Sequence, residues 1–118
     1  FHSVEGYSKF GSYTGNGNAD GPFVHTGFRP AFLMIKNTTS SADWVILDTK
    51  RNTYNPVQNN LYPSSTATEG TGNLIDYVSN GFKCRNSGSE NESGTTYIYM
   101  AFASSPFTTL KGIPTTAR

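Results

Sequence analysis

The strongest constraint on this chain is its pattern of short apolar runs separated by turn residues. The run Ala31–Lys36 follows Pro30 and is separated from the run Asp43–Thr49 by a polar turn at Asn37–Ser41. Runs of this length, bounded by Gly, Pro, Asn and Ser, are typical of strands. No window shows the sustained 3.6-residue period of an amphipathic helix. The chain is therefore predicted to be all-β. We expect the two runs to form a hairpin, with the first buried on both faces.

The rest of the chain repeats this pattern. Five further strands are predicted, at 8–14, 21–28, 73–78, 82–85 and 95–103, and the last is expected to be central. Asn80-Gly81 lies between two of them and favours a type I′ turn, because both residues accept a positive φ. The segment 50–72, rich in Asn, Ser, Thr and Pro, is predicted to be a long outer loop without regular structure. Many short strands at regular spacing favour an antiparallel β-sandwich or jelly roll.

Composition indicates what holds such a sandwich together and which partners it lacks. Ser, Thr, Asn and Gly make up 51 of the 118 residues, whereas aromatic residues account for 14% of the chain and supply much of the apolar burial. The net charge of +1, with scattered basic residues, argues against nucleic-acid binding, which needs clustered Lys and Arg. The sequence contains no run of 18 apolar residues, so no membrane-spanning segment is predicted. Cys84 is the single cysteine, so no internal disulfide forms, and we expect it to be buried and structural.

Residue patterns of catalysis and metal binding are weak. His25 lies in a predicted strand and is expected at the surface or at the edge of the core. The sequence does not indicate which of the eight carboxylates meet in space, as the two of a glycosidase must. The segment 16–21 resembles the first half of an EF-hand loop, but Gly27 stands where the bidentate Glu is required. A tight turn capped by the side chain of Asp20 is the better interpretation. We predict no catalytic residue, no metal and no cofactor.

Aromatic and amide side chains favour a carbohydrate-binding hypothesis. Sugars stack on exposed rings and donate hydroxyl hydrogens to nearby Asp and Asn side chains. For Trp44 a place in the core is the favoured alternative, whereas for the tyrosines of the segment 50–72 both interpretations remain open. The candidate binding residues are Asp43, Trp44, Tyr54, Asn55, Asn59, Asn60 and Tyr62.

Four segments together resemble a known family. In chain order they are 11–17, 26–36, 79–83 and 94–107, followed by an ending, 112–118, that looks like a natural C-terminus. The set resembles an uncharacterised domain at the C-termini of bacteriophage structural proteins. That domain recurs in marine and cyanobacterial phages, often beside concanavalin-like lectin domains. The resemblance covers nearly the whole chain except 50–72 and includes no catalytic motif.

The resemblance implies a small β-sandwich displayed on a virion, in a tail fibre or a similar appendage. We expect residues 1–118 to form one domain, the C-terminal part of a longer protein. Its expected function is non-enzymatic: a virion structural domain that contributes to host-surface attachment. The alternatives are a lectin-like carbohydrate-binding module and a capsid decoration or head-fibre protein. Expected partners are further copies of itself, as a homotrimer, other virion proteins and a host-surface glycan that contacts the segment 50–72.

Overall fold

The computed structural model describes residues 1–106, which form two antiparallel sheets of four strands each. The strands are β1 (Ser8–Thr14), β2 (Phe23–His25), β3 (Pro30–Asn37), β4 (Val45–Asp48), β5 (Val57–Asn60), β6 (Gly70–Val78), β7 (Gly81–Cys84) and β8 (Thr96–Ala103). Sheet A has the order β1-β8-β3-β4 and sheet B the order β2-β7-β6-β5. The two sheets pack as a sandwich, which confirms the all-β prediction. Residues 1–106 contain no helix, and hence none that could cross a membrane.

Aromatic residues fill much of the space between the sheets. Tyr77, Tyr97 and Phe82 are fully buried, together with aliphatic side chains such as Leu33. The ring of Tyr13 stacks on that of Tyr97, with 5.0 Å between centroids. Because aromatic side chains bury about 150–250 Å² each, a few of them compensate for the shortage of aliphatic residues.

Sheet A contains the predicted hairpin and the predicted central strand. β3 pairs antiparallel with β4, and β8 lies between β1 and β3, as expected. The expectation that β3 is buried on both faces is wrong: Leu33 and Ile35 are buried, but Phe32 and Met34 on the opposite face are only half-buried. Sheet B covers only one face of sheet A, so alternate residues of β3 point outward.

Gly81 plays a different part from the one predicted. Val78 pairs with Gly81, so the two residues of the tight turn are Ser79 and Asn80, and Gly81 begins β7. Gly81 has no positive φ. A Cβ atom at this position would lie 2.0 Å from the carbonyl oxygen of Val24. Glycine is therefore required here because β2 approaches the backbone closely.

The segment 50–72 is not one continuous loop, which corrects the prediction. It contains β5, and β6 begins at Gly70. The side-chain oxygen of Asn52 accepts hydrogen bonds from the backbone N–H groups of Gln58 (3.1 Å) and Asn59 (2.6 Å), while β5 pairs with β6. A polar strand can form here because a side chain satisfies donors of its outer edge.

The segment 16–21 is organised by side-chain amides. Gly17 adopts a φ of 66°, as its place in a turn suggested. The oxygen of Asn18 accepts the N–H of Asp20 at 2.9 Å, and Asn16 caps Asn18 in the same way at 3.0 Å. Asp20 does not cap the turn as expected. Its carboxylate instead pairs with Lys83 at 2.5 Å, which lowers the pKa of Asp20 from its ordinary value.

Candidate binding cleft

A cleft opens at one end of the sandwich, where the β3–β4 hairpin approaches the loops that follow β5 and precede β8. It has a volume of about 120 Å³. We call it the end cleft; its lining residues are Ile35, Asn37, Ala42, Asp43, Val45, Tyr62, Ser89 and Glu90.

The inner wall of the end cleft contains a buried acid. Glu90 is only 2% exposed, and its carboxylate accepts hydrogen bonds from the amide of Asn86 (2.7 Å) and the hydroxyl of Ser89 (2.8 Å). No Lys or Arg among residues 1–106 forms an ion pair with it. The hydroxyl of Tyr13 donates to the Glu90 carbonyl at 2.7 Å and anchors the backbone. Each carboxylate oxygen accepts one of these two hydrogen bonds and has a second lone pair with which to accept another from a ligand.

The outer rim contains a second acid, Asp43, which is exposed to solvent. Its Oδ1 accepts a hydrogen bond from the hydroxyl of Ser64 at 3.0 Å. The same hydroxyl accepts the backbone N–H of Trp44, also at 3.0 Å. Ser64 thus orients the carboxylate through Oδ1, and Oδ2 takes no part in this contact.

The remaining lining combines a donor group with apolar surface. Asn37 lines the cleft, and its Oδ1 accepts the N–H groups of Thr39 (2.8 Å) and Ser40 (3.1 Å), so neither contact uses the donor Nδ2. Ile35, Val45 and the ring of Tyr62 supply the apolar part. The cleft therefore offers hydrogen-bond acceptors and a donor around an apolar floor, a combination that suits a hydroxyl-rich ligand with one apolar face.

The structure brings together only part of the predicted site. Asp43 and Tyr62 both line the end cleft. Trp44 lies between two lining residues, Asp43 and Val45, but does not itself line the cleft. It is half-buried and outside the hydrophobic core, so the core position favoured by the sequence is wrong.

The other predicted residues lie elsewhere. The side-chain amide of Asn55 exchanges two hydrogen bonds with the backbone of Tyr77, at 2.7 and 2.9 Å, which is a structural role. Asn59 donates to Glu69 at 2.5 Å. Asn60 is buried, and its Nδ2 has no hydrogen-bond partner among the described residues. Tyr54 is 84% exposed and stands apart from the end cleft.

Sequence reasoning did not propose Asn37, Ser89 or Glu90 as site residues. Asn37 follows an apolar run and resembles an ordinary turn residue. Ser89 and Glu90 lie in a polar stretch without periodicity, where nothing local indicates that the acid is buried. The hydroxyl that anchors the Glu90 backbone belongs to Tyr13, which is 77 residues distant in the chain.

A second cavity, of about 310 Å³, lies beside the N-terminal segment. Its lining contains small and polar residues and no aromatic side chain: Ser3, Glu5, Gly6, Ser8, Lys9, Thr26 and Gly27. Binding sites are normally lined by apolar and aromatic surface around a few polar groups. This cavity lacks that surface, so the end cleft is the better candidate.

Nucleophilic and metal chemistry find little support in the described part of the chain. Cys84 is buried, as expected, and burial raises the pKa of its thiol to about 11. The thiol is therefore protonated near neutral pH and a poor nucleophile. No group of three His, Cys, Asp or Glu side chains within residues 1–106 is arranged to hold a metal ion.

Comparisons with known proteins assign a family. No curated protein and no solved structure shows a significant match to the chain. A family model described as a domain of unknown function, DUF7483, matches residues 1–106, including the segment 50–72 that the resemblance left out. Phe107 and the ending 112–118, which the resemblance included, lie outside the described residues. Because the match spans most of its length, the chain belongs to the DUF7483 family.

Proposed function

We propose that this chain is a non-enzymatic binding domain of a virion appendage, such as a phage tail fibre, and that its end cleft binds a host-surface glycan. The observation on which the binding role rests is the lining of the cleft, where two carboxylates, an amide and hydroxyls surround an apolar floor. A sugar ring presents hydroxyls at its edge and C–H groups on its face, and both find partners there. The virion setting is supported by the sequence resemblance to phage structural proteins.

The size of the cleft limits the ligand and the affinity. Its volume of about 120 Å³ is well below the ~300–1,000 Å³ typical of sites that enclose a drug-sized molecule. It fits one edge of a single sugar ring. We therefore expect a dissociation constant of about 1 mM for one site, equivalent to about −4 kcal/mol. Display of several copies on one particle would raise the avidity without any new contact.

Saturation-transfer NMR tests the proposal with methyl glycosides of glucose, mannose, galactose and N-acetylglucosamine, each at up to about 20 mM. We expect saturation of at least one of them. Asp43→Ala removes a rim acceptor and should weaken that binding by about 5-fold or more, whereas Asp43→Asn, which keeps one acceptor, should weaken it less. Glu92→Gln is the matched control, because Glu92 is exposed and outside the cleft. No saturation with any of the sugars, or equal affinity in Asp43→Ala, would contradict the proposal.

A purely architectural virion domain is the second candidate, and the apolar residues Phe32 and Met34 on the outer side of β3 favour it. The two candidates differ in what surrounds the end cleft on an assembled particle. A map of the virion in which the cleft faces solvent at the tip of an appendage is the result expected for attachment. A cleft covered by neighbouring subunits would favour the architectural role.

A further inference from the structure

The outer face of sheet A is apolar across its whole width. Phe10, Met100, Met34 and Ile46 lie opposite one another in register and form one row across all four strands. All four are half-buried. Ile98, two residues along the central strand, is 41% exposed. The solvent-facing side of an antiparallel sheet normally carries polar residues. An apolar outer face therefore indicates that another surface packs against it.

Aromatic rings extend the apolar row towards one end of the sheet. Phe102 contacts Phe10 and Phe32, with 6.0 Å between ring centroids in each case, and its ring also meets that of Tyr7 at 5.9 Å. Phe1 stacks on Phe10 at 5.5 Å and is itself fully exposed. The rings form a continuous apolar surface with the central row. We call the whole surface the A face; its members are Phe1, Tyr7, Phe10, Phe32, Met34, Ile46, Ile98, Met100 and Phe102.

The opposite side of the sandwich shows that this is not a general property of the domain. On the outer face of sheet B, Asp76 lies opposite Lys83 in register. Each has a charged partner of its own: Asp76 contacts Arg85 at 3.4 Å and Lys83 contacts Asp20. The apolar character is therefore concentrated on sheet A.

Charges next to the A face are satisfied within the chain. The ammonium group of Lys36 donates to the carbonyl oxygen of Ala42. Asp48 accepts the N–H groups of Lys50 (2.9 Å) and Arg51 (2.7 Å) and contacts the Arg51 side chain. Both side chains therefore already have hydrogen-bond partners within the chain, so a contact between two identical faces leaves neither group unsatisfied.

The area of the A face suits a contact between copies. Four strands about 4.8 Å apart and about 20 Å long give the outer face of sheet A a projected area of roughly 400 Å², in which apolar side chains alternate with small polar ones such as Ser12. The exposed ring of Phe1 adds about 150–250 Å². Two such faces bury about 1,200 Å² in total, which is the lower end of the range for specific interfaces.

We propose that the A face packs against the same face of another copy of this chain. Antiparallel sheets stack about 10 Å apart with their strands about 30° from parallel, as the two sheets of one sandwich do. Met34 and Met100 lie side by side at the centre, and their unbranched, polarisable side chains adapt to an opposing surface. The sequence-based expectation of a homotrimer stays a prediction; a contact between two identical A faces joins two copies related by a two-fold axis.

The unmodified chain tests this contact, because its only two methionines both lie on the A face. Their oxidation by hydrogen peroxide is followed by mass spectrometry from about 5 to 500 μM protein, the range expected for a small interface. We expect the rate to fall about 5-fold or more as concentration rises, together with an increase in mass by sedimentation. A dimer is the species that supports the proposal, because a contact between identical faces joins two copies.

Matched lysine substitutions identify the surface. Ile98→Lys places a charge on the central strand of the A face, at its most exposed aliphatic residue, and should raise the dissociation constant of self-association at least about 10-fold. Phe23→Lys makes the same change of charge on the outer face of sheet B, at a residue that is 48% exposed. This control should leave the dissociation constant of self-association unchanged. Circular dichroism checks that both variants fold.

Three results would overturn the proposal. The first is a chain that remains monomeric at about 500 μM with a constant oxidation rate. The second is equal self-association of Ile98→Lys and the parent chain. The third is a monomer whose methionines become protected only when phosphatidylcholine vesicles are added, since that result would assign the A face to a lipid surface.

Discussion

Asn91 joins the loop between β1 and β2 to the loop between β7 and β8, and its replacement offers the sharpest test of how this end of the domain is stabilised. The side chain is fully buried. Its Nδ2 lies 3.0 Å from the side-chain oxygen of Asn16 and 2.8 Å from the carbonyl oxygens of both Asn18 and Asn86. Its Oδ1 accepts the backbone N–H of Asn16 at 2.9 Å. The amide occupies the centre of the loop that resembles half of an EF-hand.

The cost of Asn91→Ala follows from these contacts. The amide nitrogen has two hydrogens for three acceptors, so the substitution removes about three full hydrogen bonds. Each contributes about 1 kcal/mol net, and a buried group left without a partner costs about 1–3 kcal/mol. We expect the free energy of unfolding to fall by about 3–5 kcal/mol, a large part of the ~5–15 kcal/mol of an ordinary domain.

Asn91→Asp separates hydrogen-bond loss from simple loss of volume, because the two side chains have nearly the same shape. The new carboxylate oxygen would face three oxygens at 2.8–3.0 Å, and a charged oxygen there is repelled. The pKa of this Asp is therefore expected to rise in the folded state above its unfolded value of about 3.9. The variant should regain stability as pH falls below its folded pKa and lose it as pH rises.

Urea unfolding followed by the fluorescence of Trp44, the only tryptophan, measures these changes at about pH 5 and pH 8. Asn73→Asp is the matched control, since Asn73 is exposed and makes one side-chain contact, with Gln58. We expect the control to change stability by less than about 0.5 kcal/mol at both pH values. The reasoning is refuted if Asn91→Ala costs under about 1 kcal/mol, or if Asn91→Asp shows the pH dependence of the control.

Two further predictions concern the core. Gly81→Ala should destabilise the fold by about 2–4 kcal/mol, because its Cβ would overlap the carbonyl oxygen of Val24. Gly88→Ala, with open space around the new methyl group, should be nearly neutral in the same urea titration. Burial raises the pKa of the Cys84 thiol from 9.0 to about 11. The stability that the protonated thiol contributes is therefore complete below pH 9, and it is lost between pH 9 and 11 because the thiol then ionises in the unfolded chain first. That loss is roughly 3 kcal/mol; thermal unfolding across this range should show a weaker pH dependence in Cys84→Ala, and an equal dependence would contradict the assignment.

Strands with β-branched and aromatic residues could be predicted from the sequence, whereas a strand stabilised by side-chain amides could not. β1 was predicted at its observed bounds, and β3 and β8 within one residue. In β5 only Val57 is apolar, so no alternation indicates a strand. The pairing with β6 and the contacts from Asn52 decide its conformation, and both depend on tertiary structure.

The candidate site was predictable only where a residue type alone suggests sugar binding. Asp43 and Tyr62 were proposed on that ground, and both line the end cleft. Asn55 has the same chemistry, but both polar atoms of its amide form hydrogen bonds with the backbone of Tyr77. An amide that binds a ligand and an amide that replaces a strand neighbour look alike in a sequence, since only the fold determines which donors face them.

Buried tyrosine hydroxyls connect the lean core to the end cleft. The hydroxyl of Tyr13 donates to the carbonyl of Glu90, and that of Tyr97 accepts the N–H of Glu92 at 3.0 Å. Asn91 lies between these two residues in the chain, and its side-chain oxygen accepts the backbone N–H of Asn16. Three successive residues of a polar loop are therefore each tied to β1, β8 or the loop after β1. A phenylalanine core would bury similar area but leave this loop unattached, so tyrosine both fills the sandwich and fixes the Glu90 wall of the cleft before any ligand arrives.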